Sequence, residues 1–296
     1  MIEESHRSIA HIPGGRVRVK LGGILYHLGR TIVDLYARLM FNRDVVWEAP
    51  LPPGPKIIAP NHPTTTDPFL ITALLSEPTS VLIKGKLFKV PLFGRYLKHV
   101  GHVPVVCGQG RAAFEAARRV LEIGKNVLIF PEGAISPSEG GFHRPHTGAA
   151  RLALITGAPI VPVGIHLDRR RIRLTETMVE GRPELGTWYL GGPYAMTVGR
   201  PMYLRGAVND REHVRVLSAQ IMRRIAQLAR RSRRRLERPR TFGSWSTPSL
   251  LALTRLLGER LHWLVRQGLP RILAYGGFAY RRIPVVSSWF WYQRRR

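Results

Sequence analysis

Short apolar stretches alternate with helix-like segments through much of this 296-residue chain, and this alternation constrains the fold more than any other feature. Continuous runs of Val, Ile and Leu are typical of strands that are buried on both faces, as in parallel sheets. The sequence therefore predicts an α/β fold with a mostly parallel central sheet covered by helices on both faces. The expected strands are 56–60, 80–84, 102–106, 126–130, 159–166 and 194–204, and the expected helices are 68–76, 109–123, 146–156 and 209–236.

The loop after the first of these runs carries a histidine and an aspartate. They are His62 and Asp67, in the sequence Asn-His-Pro-Thr-Thr-Thr-Asp at 61–67. This spacing does not place two side chains on one face of a helix. Because Pro63 and Pro68 keep the segment irregular, we expect the loop to fold the carboxylate back onto the imidazole. A carboxylate bonded to one ring nitrogen leaves the other free to take a proton from a hydroxyl.

Simpler interpretations of this loop stay open. A histidine and an aspartate in a loop are more often a surface residue and a helix cap. A metal site has less support, because no further His, Cys or Asp nearby has the spacing to complete it. A second stretch favours the catalytic interpretation, since another apolar run, 127–130, also ends in a polar turn, and that turn carries Glu132.

Four ordered blocks of sequence resemble the glycerolipid acyltransferases of the lysophosphatidate acyltransferase (PlsC-like) type. The resemblance covers about residues 45–205, and four blocks in order are far more specific than any one of them. The blocks are Asn-His-x4-Asp at 61–67, Lys-Gly-Lys-Leu-Phe-Lys-Val-Pro-Leu-Phe-Gly at 84–94 followed by Gly-His-Val-Pro-Val at 101–105, Phe-Pro-Glu-Gly at 130–133, and Ala-Pro-Ile-Val-Pro-Val at 158–163.

The resemblance implies an O-acyltransferase that moves a fatty acyl group from a thioester to the hydroxyl of a lysophospholipid, with 1-acylglycerol-3-phosphate as the expected acceptor in phospholipid synthesis. His62 would remove the proton of that hydroxyl, and Asp67 would orient the imidazole. No metal or cofactor is expected, and acyl-CoA or acyl carrier protein would bring the thioester. The expected substrate-binding residues are Asn61, Lys84, Lys86, Glu132, Gly133 and Arg144.

Each of these substrate-binding assignments has an alternative. Asn61 would hold either the loop or the oxyanion, and Glu132 and Gly133 belong to the acceptor site or to the organisation of its loops. For Glu132 alone, capping of a helix is an equally good interpretation. Beside Lys84, further positive charge would come from Lys86, Arg111 or Arg144, and surface charge is the simpler role for each of these four residues.

Two departures from the family pattern concern the acceptor. The third block often continues with an arginine that serves the acceptor phosphate, and Ile135 stands there in this chain. The second block often ends in an arginine, and Cys107 occupies that position. The same chemistry on another amphiphilic hydroxyl, such as a glycolipid or another lysolipid, therefore stays open.

An excess of basic residues points to an anionic partner. The chain has 46 Lys and Arg against 19 Asp and Glu, for a formal net charge of +27. Nucleic acid, an anionic membrane surface and acidic substrates all attract such a charge. A basic nucleic-acid-binding protein is the alternative from a different class. No zinc-finger cysteines or Rossmann glycine fingerprint support it, and no specific nucleic acid is expected.

The helix expected near the N-terminus is amphipathic. Arg30, Asp34 and Arg38 recur at helical spacing opposite an apolar side, which favours a helix lying on a membrane, or packing on the catalytic domain, over one that spans it. We therefore expect a peripheral or monotopic protein at the cytoplasmic face of a membrane, and an insertion loop at 168–193. The expected regions are a flexible N-terminus at 1–15, an amphipathic membrane-surface helix at 16–45, the acyltransferase catalytic domain at 46–240, and a helical, aromatic and basic C-terminal extension at 241–296.

Overall fold

The structure is a computed structural model that describes residues 14–179, 182–238 and 280–281. The helices are α1 (Gly14–Met40), α2 (Asp67–Leu74), α3 (Phe93–His99), α4 (Gly110–Glu122), α5 (Gly148–Thr156) and α6 (Arg211–Glu237), with 3₁₀ helices at Gly85–Lys89 and Arg169–Arg171. The strands are β1 (Phe41–Trp47), β2 (Ile57–Pro60), β3 (Thr79–Lys84), β4 (Val103–Val105), β5 (Asn126–Leu128), β6 (Ile160–Leu167), β7 (Arg173–Val179), β8 (Arg182–Trp188), β9 (Gly192–Val198) and β10 (Tyr280–Arg281).

A seven-stranded sheet in the order β1-β9-β6-β2-β5-β3-β4 forms the centre of the fold. The five strands from β6 to β4 are parallel to one another. Strand β9 runs antiparallel to β6, and β1 pairs in parallel with β9. The predicted α/β class with a mostly parallel sheet is therefore confirmed.

Helices cover both faces of this sheet. Adjacent side chains of β2 point to opposite faces, as a pleated strand requires. Ile58 packs in a core cluster with Ala37 of α1 and Ile71 of α2. Its neighbour Ile57 packs in a second cluster with residues of α4, α5 and α6. All four positions of β2 are buried, which explains why this strand has an uninterrupted apolar sequence.

Two of the differences from the sequence prediction concern β1 and the β7–β8 hairpin. The N-terminal helix ends at Met40, and β1 begins at Phe41, inside the region expected to be the membrane-surface helix. The segment expected as an insertion loop contains the β7–β8 hairpin, whose register pairs Leu174 with Thr187. Both elements acquire their partners over long range, since β1 pairs with β9 and β7 also pairs with β10.

Helix α1 turns an apolar row towards solvent. Tyr26 and Ala37 are buried against the domain, whereas the row on the other side is more than half exposed. Arg30, which the sequence places on a polar stripe, faces inward and donates to the carbonyl of Leu75 at 2.9 Å. Packing on the rest of the fold therefore does not account for the apolar row, within the part of the chain that the structure describes. The row consists of Ile24, Leu28, Ile32 and Leu35.

None of the helices within residues 14–179 and 182–238 combines the length and the apolar character that a membrane span requires. The predicted C-terminal extension at 241–296 lies outside the described residues, apart from β10 at 280–281.

Candidate active site

The loop between β2 and α2 brings His62 and Asp67 together at the carboxyl edge of the parallel strands. Strand β2 ends at Pro60, and Asp67 is the first residue of α2. The distance from His62 Nδ1 to Asp67 Oδ2 is 3.2 Å. The loop thus folds the carboxylate back onto the imidazole, as its irregular sequence predicts. Open α/β sheets place their ligands at this edge.

Asp67 is fully buried, and its carboxylate is surrounded by donors. Oδ2 accepts a 2.6 Å hydrogen bond from the backbone N–H of Thr64. Oδ1 accepts from the Thr64 hydroxyl at 2.9 Å and from the Tyr194 hydroxyl at 3.0 Å. Burial, and then the neighbouring Asp67 carboxylate, raise the pKa of Tyr194 well above 10.0, so its hydroxyl keeps the proton that it donates. These bonds offset the cost of removing a carboxylate from water.

The imidazole of His62 is held from two sides. Its ring stacks on Phe130, with the centroids 3.8 Å apart and the planes 22° apart. The side chain retains 16% exposure. Nδ1 faces Asp67, and within the described ranges no hydrogen bond engages Nε2. That nitrogen is therefore available to a hydroxyl that enters the site.

Glu132 ties the loop after β5 to the loop that carries His62. Its Oε1 accepts from the backbone N–H of His62 at 3.1 Å and from the Ser136 hydroxyl at 2.7 Å. Its Oε2 accepts from the backbone N–H of His143 at 2.9 Å. The residue is 2% exposed. Of the roles considered from sequence, organisation of the loops fits this geometry, and helix capping or contact with the acceptor does not.

Asn61 and Gly133 also determine the conformation of the loops. The sequence places Asn61 among the substrate-binding residues, but its amide exchanges two hydrogen bonds with the backbone of Ile165, at 2.7 and 3.1 Å. At 3% exposure, this side chain braces the loop against β6. Gly133 has a φ of +67°, and a Cβ there would lie 2.6 Å from the imidazole of His146. Only glycine fits that turn.

Two lysines lie at the same edge of the sheet but are engaged by a carboxylate. Lys84 is the last residue of β3. Strand β5 lies between β3 and β2, so β3 is about 10 Å from β2 across the sheet. Its Nζ donates to Glu184 Oε2 at 2.6 Å, and that of Lys86 donates to Glu184 Oε1 at 2.5 Å. Arg144 is exposed and forms no salt bridge with any described residue. The structure therefore brings both lysines to the predicted edge and pairs them with a residue of the hairpin.

The β7–β8 hairpin rests on the loop that carries His62. The backbone N–H of Thr65 donates to the carbonyl of Thr187 at 2.7 Å, and Thr187 N–H donates back to the Thr65 hydroxyl at 3.0 Å. Tyr189 N–H donates to the hydroxyl of Thr66 at 3.0 Å. The end of β8 and the residue after it thus contact the loop of the site directly.

Several residues of the site were not predicted. Phe130 ends the apolar run before Glu132, and Ser136 lies in the turn that carries Glu132. Their closeness to Glu132 in sequence was therefore a signal that could have identified them as site residues. Tyr194 and Glu184 carry no such signal, because they are far from His62 in sequence. No group of three or more His, Cys, Asp or Glu in the described ranges is arranged to hold a metal ion.

Comparison with known proteins finds a matching family model and a similar solved structure. Residues 43–166 match the family model described as Acyltransferase. The crystal structure of the 1-acyl-sn-glycerophosphate (LPA) acyltransferase PlsC from Thermotoga maritima is similar, with a TM-score of 0.51. The two chains are 22% identical, over 78% of this chain and 84% of that one. None of the curated proteins matches. The matched segment contains His62, Asp67 and Glu132.

Proposed function

We propose that this chain, whose residues 43–166 match the Acyltransferase family model, moves a fatty acyl group from a thioester to the hydroxyl of a lysophospholipid. The observation that carries the proposal is the 3.2 Å pair of His62 and Asp67, whose second imidazole nitrogen is left available. The first acceptor to consider is 1-acylglycerol-3-phosphate, because the similar enzyme from Thermotoga maritima is named for it. Acyl-CoA or acyl carrier protein supplies the thioester.

The proposed reaction needs one base and no change of oxidation state. Nε2 of His62 takes the proton of the acceptor hydroxyl while the hydroxyl oxygen attacks the thioester carbonyl carbon. The new C–O bond forms, the C–S bond breaks, and the proton passes from the imidazolium to the departing thiolate. Asp67 fixes the tautomer with the proton on Nδ1 and stabilises the imidazolium. Its buried setting strengthens this interaction, because the local dielectric is low.

Access of a lipid acceptor is explained by the exposed row of α1. Lipid-facing side chains of an interfacial helix are large and apolar, and four such residues are more than half exposed here. The helix leads to the site: it ends at Met40, and the next residue, Phe41, pairs with Gly192. That end of β9 lies beside Leu167, at the carboxyl edge of β6. A bilayer against α1 therefore borders the edge that holds His62.

We assign the protein to a peripheral position on an anionic membrane surface. The net charge of +27 attracts anionic headgroups, each nearby basic residue contributing about 1 kcal/mol. The cytoplasmic face is the proposed side, because the one cysteine, Cys107, is free and exposed, which fits a reducing compartment.

A phosphate-free acceptor is the second candidate, and a specific observation favours it. Both lysines at the carboxyl edge are engaged by Glu184, and Ile135 and Cys107 stand where arginines are often found in the family. An acceptor without a phosphate needs none of these charges. The chemistry at His62 is the same for both candidates.

An acceptor panel tests the proposed function. Acyl-CoA and acyl carrier protein donors are each combined with 1-acylglycerol-3-phosphate, a zwitterionic lysophospholipid, a monoacylglycerol and a glycolipid, and the products are measured by mass spectrometry. Acylation of 1-acylglycerol-3-phosphate in preference to the others supports the first candidate. Preference for a phosphate-free acceptor supports the second. Absence of acylation with every combination, together with binding to DNA in preference to anionic vesicles, contradicts both.

A further inference from the structure

Glu184 joins the two lysines at the carboxyl edge through both of its oxygens. Each ammonium takes a different oxygen, at 2.6 Å for Lys84 and 2.5 Å for Lys86. The two lysines come from different local structures, since one ends β3 and the other lies in the following 3₁₀ helix. Their side chains converge on one anionic group, which is the arrangement that proteins use to bind a phosphate or a carboxylate.

Strand β8 runs across the carboxyl edge of the sheet. Thr187 is bonded to the loop of His62, and Glu184 lies three residues earlier, about 10 Å along the strand. The two lysines that Glu184 contacts lie at the end of β3 and just after it. Strand β3 is two strand spacings, or about 10 Å, from β2. The contact of Thr187 with the loop that carries the candidate base therefore holds Glu184 close to the two lysines.

We propose that Glu184 is an internal competitor for the subsite formed by Lys84 and Lys86, the two lysines that the family resemblance already implies as substrate-binding residues. The inference rests on the proposed function, because it concerns how the acceptor of that reaction is selected. A phosphate-bearing acceptor must displace the carboxylate before its headgroup pairs with the lysines. An uncharged acceptor meets no such competition, so Glu184 shifts the selectivity of the enzyme towards uncharged acceptors.

The competitor is charged under ordinary conditions. Hydrogen bonds from Lys84 and then Lys86 lower the pKa of Glu184 below its ordinary value of 4.5. The carboxylate side chain is 24% exposed and the Lys84 side chain is 64% exposed, so an anion from solvent or from a lipid has access to the pair. Solvent-exposed ion pairs contribute little, about 1 kcal/mol or less each, so a phosphate can displace this one.

Glu184→Gln tests the competition, with Glu176→Gln as its matched control. Glu176 lies on the neighbouring strand of the same hairpin, and its register partner is Leu185, so its side chain points to the face opposite Glu184. The control removes the same charge from the same hairpin and leaves the lysines paired. KM and kcat are measured with 1-acylglycerol-3-phosphate and with a monoacylglycerol, and the Kd of glycerol 3-phosphate is measured by calorimetry.

We expect Glu184→Gln to lower the KM for 1-acylglycerol-3-phosphate and the Kd of glycerol 3-phosphate on the order of tenfold, because the competing anion is removed. The KM for monoacylglycerol, and all values for Glu176→Gln, stay within about twofold of the wild type. Adding Glu184→Gln to a variant with both lysines changed to Gln gives no further gain, because the subsite is gone.

Two outcomes overturn the inference. One is an equal change of KM for the charged and uncharged acceptors, and the other is an unchanged Kd of glycerol 3-phosphate in Glu184→Gln. Failure of the proposed function is a separate result, since it is the absence of acylation by the wild type. In that case the calorimetric comparison still decides whether Glu184 competes at the two lysines.

Discussion

The hydroxyl of Tyr194 donates a 3.0 Å hydrogen bond to Asp67, although 127 positions separate the two residues in sequence. Tyr194 lies in β9, the strand that runs antiparallel to β6, and Asp67 begins α2. One carboxylate oxygen thus contacts Tyr194 while the other faces His62. The orientation of the candidate base therefore depends on a strand outside the parallel part of the sheet.

Removal of this hydroxyl in Tyr194→Phe should destabilise the protein by about 1.5–3 kcal/mol, because a hydrogen bond to a buried charged group is lost. Tyr189→Phe is the control: Tyr189 is also buried, but its hydroxyl donates to the neutral carbonyl of Pro193 at 2.7 Å. Its loss should cost about 0.5–1.5 kcal/mol. Urea denaturation measures both, and a smaller loss for Tyr194→Phe than for Tyr189→Phe would contradict the account.

Sequence alone was sufficient for the parallel part of the fold. Strand β2 is buried at all four positions, and its uninterrupted apolar sequence reports that burial directly. Because parallel strands end at the same edge, the positions of His62 and Glu132 after two such strands predicted that they lie together. Their backbone-to-carboxylate bond of 3.1 Å agrees with that prediction.

Other features depend on pairings that no local pattern reports. Strand β1 has polar residues whose partners are distant: Arg43 pairs with Asp34, and Asp44 pairs with Arg235. Because the sequence does not reveal those partners, its local pattern predicts the end of a helix for this segment. Similarly, the sequence shows that Asn61 lies in a polar turn. It does not show that the oxygen and the nitrogen of its side-chain amide both form hydrogen bonds with the backbone of Ile165. The roles of such loop carboxylates and amides therefore depend on contacts with residues that are distant in sequence.

Glu132→Gln should disrupt the loops of the site. The carboxylate accepts three hydrogen bonds, and an amide nitrogen at either position would face a donor instead of accepting from it. We expect a loss of about 1.5–3 kcal/mol in the free energy of unfolding and a reduced kcat. Glu139→Gln, at a fully exposed position of the same loop, is the control and should leave both unchanged. Equal behaviour of the two variants would show that Glu132 does not organise the loops.

His102 should make stability depend on pH. Burial lowers the pKa of His102 from 6.5 to about 4, and its Nδ1 accepts a hydrogen bond from the N–H of Val81 at 3.1 Å. A base with a lowered folded-state pKa stabilises the fold above its unfolded pKa and loses this contribution as the pH falls. Between pH 6.5 and 4, the free energy of unfolding should decrease by on the order of 2–3 kcal/mol.

His102→Asn separates this contribution from those of other groups, because the asparagine oxygen can still accept from Val81 N–H but does not titrate. The variant should lose the pH-dependent part between pH 6.5 and 4, whereas His99→Asn, at an exposed position, should retain it. Denaturation at a series of pH values measures the difference. Identical slopes for the wild type and His102→Asn in that range would exclude His102 as the cause.

The exposed row of α1 should bind membranes. Changing Leu28 and Ile32 to Ser should weaken association with anionic vesicles by about tenfold, since even partial burial of two such side chains contributes about 1–2 kcal/mol. Ile123→Ser is the control, because Ile123 is 68% exposed at the end of α4, on the other side of the sheet. Vesicle flotation measures the binding. Unchanged flotation of the α1 variant would remove this helix from the proposed membrane surface.

The rate of acyl transfer by His62→Ala tests the central claim most directly. The variant lacks the base but retains Asp67 and the loop bonds of Glu132, so its thermal unfolding should stay close to that of the wild type. We predict a decrease in kcat on the order of 10²–10⁴-fold with the best acceptor of the panel, as is typical when a general base is removed. A folded His62→Ala protein with nearly normal turnover would contradict the assignment of His62 as the base.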